Sequence, residues 1–284
     1  MLTERSAPSV TRRGSSIDID GLTKTFGEDG PKPFTALAPT SLSIPPGEFV
    51  SVVGPSGCGK STMMLMVGGL LEPSGGQIRV DGRLVTRAVT DVGIAFQDHL
   101  LLDFRTAMDN VMLQASIRKL PKAEIRRRAE TLFERLGLTK ATDRYPQQLS
   151  GGMRQRVSLI RTLVHNPPLL MMDEPFGALD ALTRLQVRAD LEALWMDQRP
   201  TVLFITHSVD EAVALSDRVI VMSPSPGSIV EEIHVDAPRP RPLTIGDSPE
   251  MTGYVDRIYG RFEQMGVLRA VNDPDGNAGT DRDH

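Results

Sequence analysis

The sequence predicts an α/β fold built around a parallel sheet, and three observations carry that prediction. Two short, mostly apolar runs, "LLMMD" (169–173) and "TVLFIT" (201–206), have the length of strands buried on both faces. Between them, residues 182–196 have the length and texture of a helix, so strand and helix alternate. Earlier in the chain, glycine-rich "GPSGCGKS" (54–61) joins the strand-like "FVSVV" to a helical run.

The elements can be justified in order. Residues 1–16 are polar and lack periodicity, as in a disordered tail. The pair Arg12-Arg13 precedes "GSSIDIDGLT" rather than an apolar stretch, so it does not read as an export signal. "SIDIDGLTKTF" alternates like an edge strand, and "TSLSIPPGEFVSVVG" reads as two strands around a Pro-Pro-Gly turn. "KSTMMLMVGGL" turns helical and stops at glycines, whereas "GQIRVDGRLV" is a hairpin turning at Asp81-Gly82. From about residue 100 to 148 the texture is helical. There Ile125, Ala129, Leu132, Phe133 and Leu136 form one apolar face between Pro121 and Gly137. "VDAPRPRPLTIGDSPE" reads as a Pro-rich linker before a short helix near residues 251–264 and a polar end.

At 284 residues the chain can bury a large core in one or two domains, and its composition is that of a soluble globular protein. A net charge of −4 gives no reason to expect bulk attraction to nucleic acid. The single cysteine, Cys58, excludes an internal disulfide and fits a reducing compartment. No window approaches the roughly 18 apolar residues of a membrane span.

"GPSGCGKS" follows a strand and opens a helix, the context that a P-loop requires. Residues Gly54, Pro55, Ser56, Gly57, Cys58, Gly59, Lys60, Ser61 and Thr62 then form an ATP phosphate site. Its glycines let backbone N–H groups turn toward the anion, and the helix N-terminus adds positive potential. Lys60 can reach the β- and γ-phosphates, Ser61 is placed to ligate Mg²⁺, and Thr62 supports the phosphates. "LLMMDEP" supplies the acidic strand end: Asp173 for the metal and Glu174 as general base for water. A second turn of this kind, Ser150-Gly151-Gly152, precedes a helix expected from about Met153 and forms a second anion site.

That second turn belongs to "LSGGMRQRV", which resembles the signature motif of the ABC-type (ATP-binding cassette) ATPases. The resemblance covers about residues 17–235. It implies a P-loop NTPase (RecA-like) core, an antiparallel β-subdomain and an inserted helical subdomain at about 98–160, followed by an extension over 236–284. It also implies a head-to-tail dimer of two copies, in which each Ser150, Gly151 and Gly152 closes on the ATP of the other copy. In the same way Gln97 matches the Q-loop glutamine, which reaches metal and water, and Asp180 in "GALD" matches the D-loop aspartate at the dimer interface. His207 matches the switch histidine, and Phe26 the aromatic that stacks on adenine. Phe34 lies close by, and the sequence leaves either phenylalanine free to be core. Motif context further resembles importer cassettes for nitrate, sulfonate and taurine, with departures at Asp103-Phe104, Ile160-Arg161-Thr162 and Ser208. An ATPase peripheral to the cytoplasmic face of the inner membrane follows. It would work with separate permease subunits and, indirectly, a solute-binding protein, without nucleic acid. The alternatives are a lipid or drug exporter cassette and an ABC ATPase of DNA repair or translation.

Overall fold

The computed structural model describes residues 14–268. The chain first builds a four-stranded antiparallel sheet of order β2-β1-β4-β5, from β1 (Ile17–Phe26), β2 (Phe34–Ile44), β4 (Gly75–Val80) and β5 (Arg83–Leu84). β1 lies inside this sheet, flanked by β2 and β4, and is not the expected edge strand. Its alternation reports one buried face, and an interior antiparallel strand has that too. The Asp81-Gly82 turn takes positive φ at both residues, as a tight hairpin between β4 and β5 needs. After the Pro-Pro-Gly turn the chain leaves this sheet and enters a second one.

The second sheet has order β10-β9-β3-β8-β7-β6. It comprises β3 (Phe49–Val53), β6 (Val92–Ala95), β7 (Leu169–Asp173), β8 (Thr201–Ile205), β9 (Arg218–Met222) and β10 (Ile229–His234). All its pairings are parallel except β9–β10. β3, β7, β8 and β9 are buried along their whole length because both faces are covered. On one face Val50, Val52, Met171 and Leu203 pack with Met63 and Met64 of α1 (Lys60–Val67) and with Ile17 and Leu22 of the antiparallel sheet.

Against the other face lie helices α2 (Ala107–Ile117), α3 (Lys122–Arg135), α4 (Gly151–Leu163) and α5 (Ala181–Gln198). The predicted face of α3 is buried at Ile125, Ala129, Leu132 and Phe133, with Leu136 following as its cap. Trp195 of α5 meets Phe49 edge-on, with ring centroids 5.7 Å apart. A third cluster joins α6 (Val209–Leu215) and α7 (Pro249–Gln264) to β9 and β10. Among the described residues no helix is long and apolar enough to cross a membrane.

Two tail expectations need correction. Residues 1–13 and 269–284 lie outside the described residues, but Gly14–Ser16 are docked. Ser15 is buried, its N–H donates to the Pro168 carbonyl at 3.1 Å, and its own carbonyl accepts from Thr201 Oγ1. At the other end "PRPRP" is not a free spacer. The Arg239 side chain, 9% exposed, and buried Arg241 pack against the rest of the fold, where guanidinium groups find backbone carbonyls and carboxylates that composition alone does not reveal.

Candidate active site

β3 delivers the chain into the turn 54–59, which closes over α1. Gly57 and Gly59 take φ of +76° and +93°, and a Cβ on Gly59 would meet the Ala36 carbonyl oxygen at 2.7 Å. Only glycine fits there. α1 has no side-chain cap at its N-terminus and no acidic residue in its first turn. Its free N–H groups and dipole therefore face the cleft without an internal anion, as a phosphate site requires. Lys60 is buried and donates from Nζ to the carbonyls of Gly54 (2.8 Å) and Pro55 (2.9 Å). Its ammonium is thus held against the turn. Cys58 is buried beneath it, and burial pushes its thiol pKa up, so it is an inert packing group.

The carboxyl ends of parallel strands β6, β7 and β8 supply the opposite wall, the usual place for a ligand in an open α/β sheet. Asp173 closes β7, buried and hydrogen-bonded by Ser61. Burial raises its pKa; the Ser61 bond opposes that rise. Glu174 sits at φ +46°, an uncommon conformation for a residue with a Cβ. Its N–H donates to the Ile205 carbonyl at 2.8 Å, which fixes the turn. Glu174 Oε2 lies 3.3 Å from His207 Nδ1 and 3.4 Å from Gln97 Nε2. Three residues from three separate strand ends meet around one carboxylate.

The resulting cleft holds about 710 Å³ and is lined by the P-loop residues 56–62, Gln97, Glu174, His207 and the two phenylalanines. That volume lies within the roughly 300–1,000 Å³ of small-molecule sites. Phe26 and Phe34 face each other across the β1–β2 ladder, 42% and 53% exposed. Neither is core, so both are available to a flat ring.

The signature turn is elsewhere. Ser150, Gly151, Gly152 and Asp180 do not line this cleft. Ser150 caps α4, its Oγ accepting from Met153 N–H at 3.2 Å, and the helix starts at Gly151, two residues before the expected Met153. Asp180 caps α5 through Thr183 N–H at 3.0 Å; hydrogen bonds from the Thr183 side chain and then its backbone hold the exposed carboxyl below the usual range. A Cβ on Gly152 would meet Leu179 Cδ2 at 3.2 Å, so the signature and the D-loop segment touch within one chain.

Comparison with known proteins decides the family. A family model described as ABC transporter matches residues 37–177. The aliphatic sulfonates import ATP-binding protein of Agrobacterium fabrum is 40% identical, aligned over 98% of this chain and 99% of its own length. The chain belongs to the ABC transporter ATP-binding proteins. The nitrate import ATP-binding protein of Synechococcus elongatus is 40% identical over 87% of this chain and 92% of its own length. For the bicarbonate transport ATP-binding protein of Synechocystis, the figures are 37%, 90% and 94%. A solved dimeric cassette in a post-hydrolysis state with ADP and Pi superposes with a TM-score of 0.70 at 31% identity, covering 78% of this chain and 99% of that one. The protein is accordingly an ATP-binding cassette and an ATPase.

Two features of the cassette's site were not read from the sequence. Thr206, beside His207, donates to buried Glu211 at 2.6 Å. Arg154 donates from Nε to His99 at 3.0 Å and from Nη1 to the Leu149 carbonyl at 2.7 Å, tying the segment after Gln97 to the residue before Ser150. Both join a helix residue to a loop, and only the position of Glu211 one helical turn past His207 hinted at either.

Proposed function

We propose that two copies of this cassette pack head to tail and close on ATP, powering uptake of a small oxyanion through separate permease subunits at the cytoplasmic face of the inner membrane. One observation carries the dimer reading. The P-loop cleft is open, while the uncovered helix end at Ser150 in the same chain stands away from it. A second copy supplies what each cleft lacks, and the solved relative noted above is itself a dimer.

Within the cleft, Lys60 and the N–H groups of α1 take the β- and γ-phosphates, and Phe26, with Phe34 beside it, offers a face to adenine. Ser61 and Asp173 already share a hydrogen bond beside the P-loop, and with Gln97 they form the hard-oxygen donor set that suits Mg²⁺. When bound there, Mg²⁺ neutralises charge developing on the phosphates. Glu174 takes the proton from the attacking water, while Gln97 and His207 hold its carboxylate in place. The signature group Ser150, Gly151 and Gly152, with Asp180 beside it, seals the partner's cleft.

Sulfonates, nitrate and bicarbonate, named for the relatives, share one chemistry: a small oxyanion. Phe104, 75% exposed, and Leu100, 54% exposed, follow Gln97 closely in the chain and offer apolar side chains suited to a permease helix. A solute-binding protein would deliver the oxyanion to the permease. The test is co-expression with permease genes from the same genome followed by uptake of labelled sulfonate, nitrate and bicarbonate into cells. ATP-dependent uptake of one of them is expected. Outward transport of an amphiphile by the same complex would sink the importer reading.

A further inference from the structure

The switch helix α6 is seven residues long, too short to hold its own shape in water. Its position, and that of His207 two residues before it, must come from tertiary contacts. At the N-terminal end these are the Thr206–Glu211 bond and the Ser208 cap. At the C-terminal end the helix exposes carbonyls that have no partner within the helix. The segment beyond residue 235 supplies the partners. Arg241 Nη1 donates to the carbonyls of Val213 and Ser216, both at 2.6 Å, and Arg239 Nη2 donates to that of Leu215 at 2.6 Å. Cations at a helix C-terminus also complement its dipole.

We infer that Arg239 and Arg241 form a positioning strap that holds α6, and through it His207, in register for hydrolysis. This rests on the reading that His207 acts in the cleft. The strap is anchored on both sides. Arg239 Nη1 reaches Glu192 of α5 at 2.9 Å, Nη2 reaches Asp217 at 2.9 Å, and the guanidinium lies 4.3 Å from the Trp195 ring centroid. Arg241 Nη2 donates to the Val235 carbonyl at 3.0 Å, and its backbone N–H donates to Glu192. Arg188 of α5 closes the clamp on the carbonyls of Pro242 and Leu243. Two buried guanidiniums stabilise a fold less than apolar groups of equal volume would. What they add is direction: forked donors hold their acceptors in a fixed geometry. α6 spans only about 10 Å, so a shift at its strapped end reaches His207 almost undiminished. The strap also joins α6 to α5, whose first residue follows Asp180.

The experiment uses the full chain with Arg241→Gln and Arg241→Lys, labelled with ¹³C-histidine; the sequence holds five histidines, and His207→Ala identifies the signal of His207. Well below the melting temperature, Arg241→Gln should lower kcat about tenfold or more with little change in KM, the cost of a misplaced catalytic group. The His207 signal should shift, and Arg241→Lys should restore part of both. Reading the two variants in parallel lets the lysine form decide if the glutamine form does not fold. An unchanged kcat in folded enzyme, or a lowered kcat with an unmoved His207 signal, would reduce the strap to a passive brace. Full hydrolysis by His207→Ala would defeat the reading of the cleft; a displaced His207 signal in Arg241→Gln would still support the strap.

Discussion

At the P-loop a Cβ on Gly59 would meet the Ala36 carbonyl oxygen at 2.7 Å, whereas at the signature a Cβ on Gly151 would meet nothing within 4 Å. The first turn is walled by the antiparallel sheet, has a buried lysine folded against it, and faces three strand ends across a cleft. The second is a helix end capped by its own serine, exposed at Ser150, with Leu179 and Ala178 behind Gly152. Both turns open a helix, but only the first is enclosed by other elements. A cradle that surrounds its ligand binds alone; a cradle with one wall must be brought to its ligand. The difference marks where binding ends and assembly begins.

The largest expected effect breaks the chemistry while leaving the comparison intact. Glu174→Gln removes the proposed base and keeps the shape, so kcat should fall by about 10²–10⁴. ATP affinity should stay within a few-fold, and analytical ultracentrifugation should find an ATP-dependent dimer. A monomer under saturating ATP would mean that the open cradle serves no partner. Adding Ser150→Arg to that variant tests the second cradle directly. An arginine at the helix end blocks approach from outside but leaves the P-loop untouched, so ATP should still bind while the locked dimer is lost. Survival of the dimer would place Ser150 away from the seam.

A smaller effect sharpens the first cradle. Both phenylalanines at its mouth are half exposed, and stacking a base on an aromatic ring contributes about 1–3 kcal/mol. Phe26→Ala should therefore weaken ATP binding about tenfold, with Phe34→Ala weaker in effect, as measured by calorimetric titration. The reverse order would assign the adenine to Phe34.

The P-loop and the β7 carboxylates were legible because their chemistry is local. A glycine turn between strand and helix, and two acids ending an apolar run, each fit in a few consecutive residues. The pairing of β1 with both β2 and β4 was not legible, since alternation reports a buried face and says nothing of neighbours. β9 was missed for a related reason: "RVIVM" begins with Arg218, whose charge looks exposed in sequence. In the fold it is met by Glu48 at 2.8 Å and Glu232 at 2.7 Å. Arg239 and Arg241 hid in the same way, because a proline-rich basic run has the composition of a spacer. The partners that bury it, Glu192, Asp217 and the carbonyls of α6, lie 20 residues or more upstream. What a sequence conceals here is mainly charge that has been taken inside.

Glu211 offers the finest test of how the walled cradle is supported. Its carboxyl is buried, accepts from Thr206 at 2.6 Å and stands 3.8 Å from Arg184 Nε. Burial raises its pKa above the ordinary 4.5, against the opposing pull of Thr206 and Arg184. A raised pKa means that the folded state favours the protonated form. That contribution to stability is complete below the ordinary carboxylate range and is lost as pH rises through the raised value. Glutamine keeps the Thr206 acceptor without the charge. Glu211→Gln should therefore melt above the wild type at pH 7, and the wild type should close that gap as pH falls from 7 toward 4.5. Calorimetric melting across that range decides the matter: a wild type that instead loses ground on acidification would mean that the Arg184 ion pair outweighs burial, and that the switch wall is held by charge.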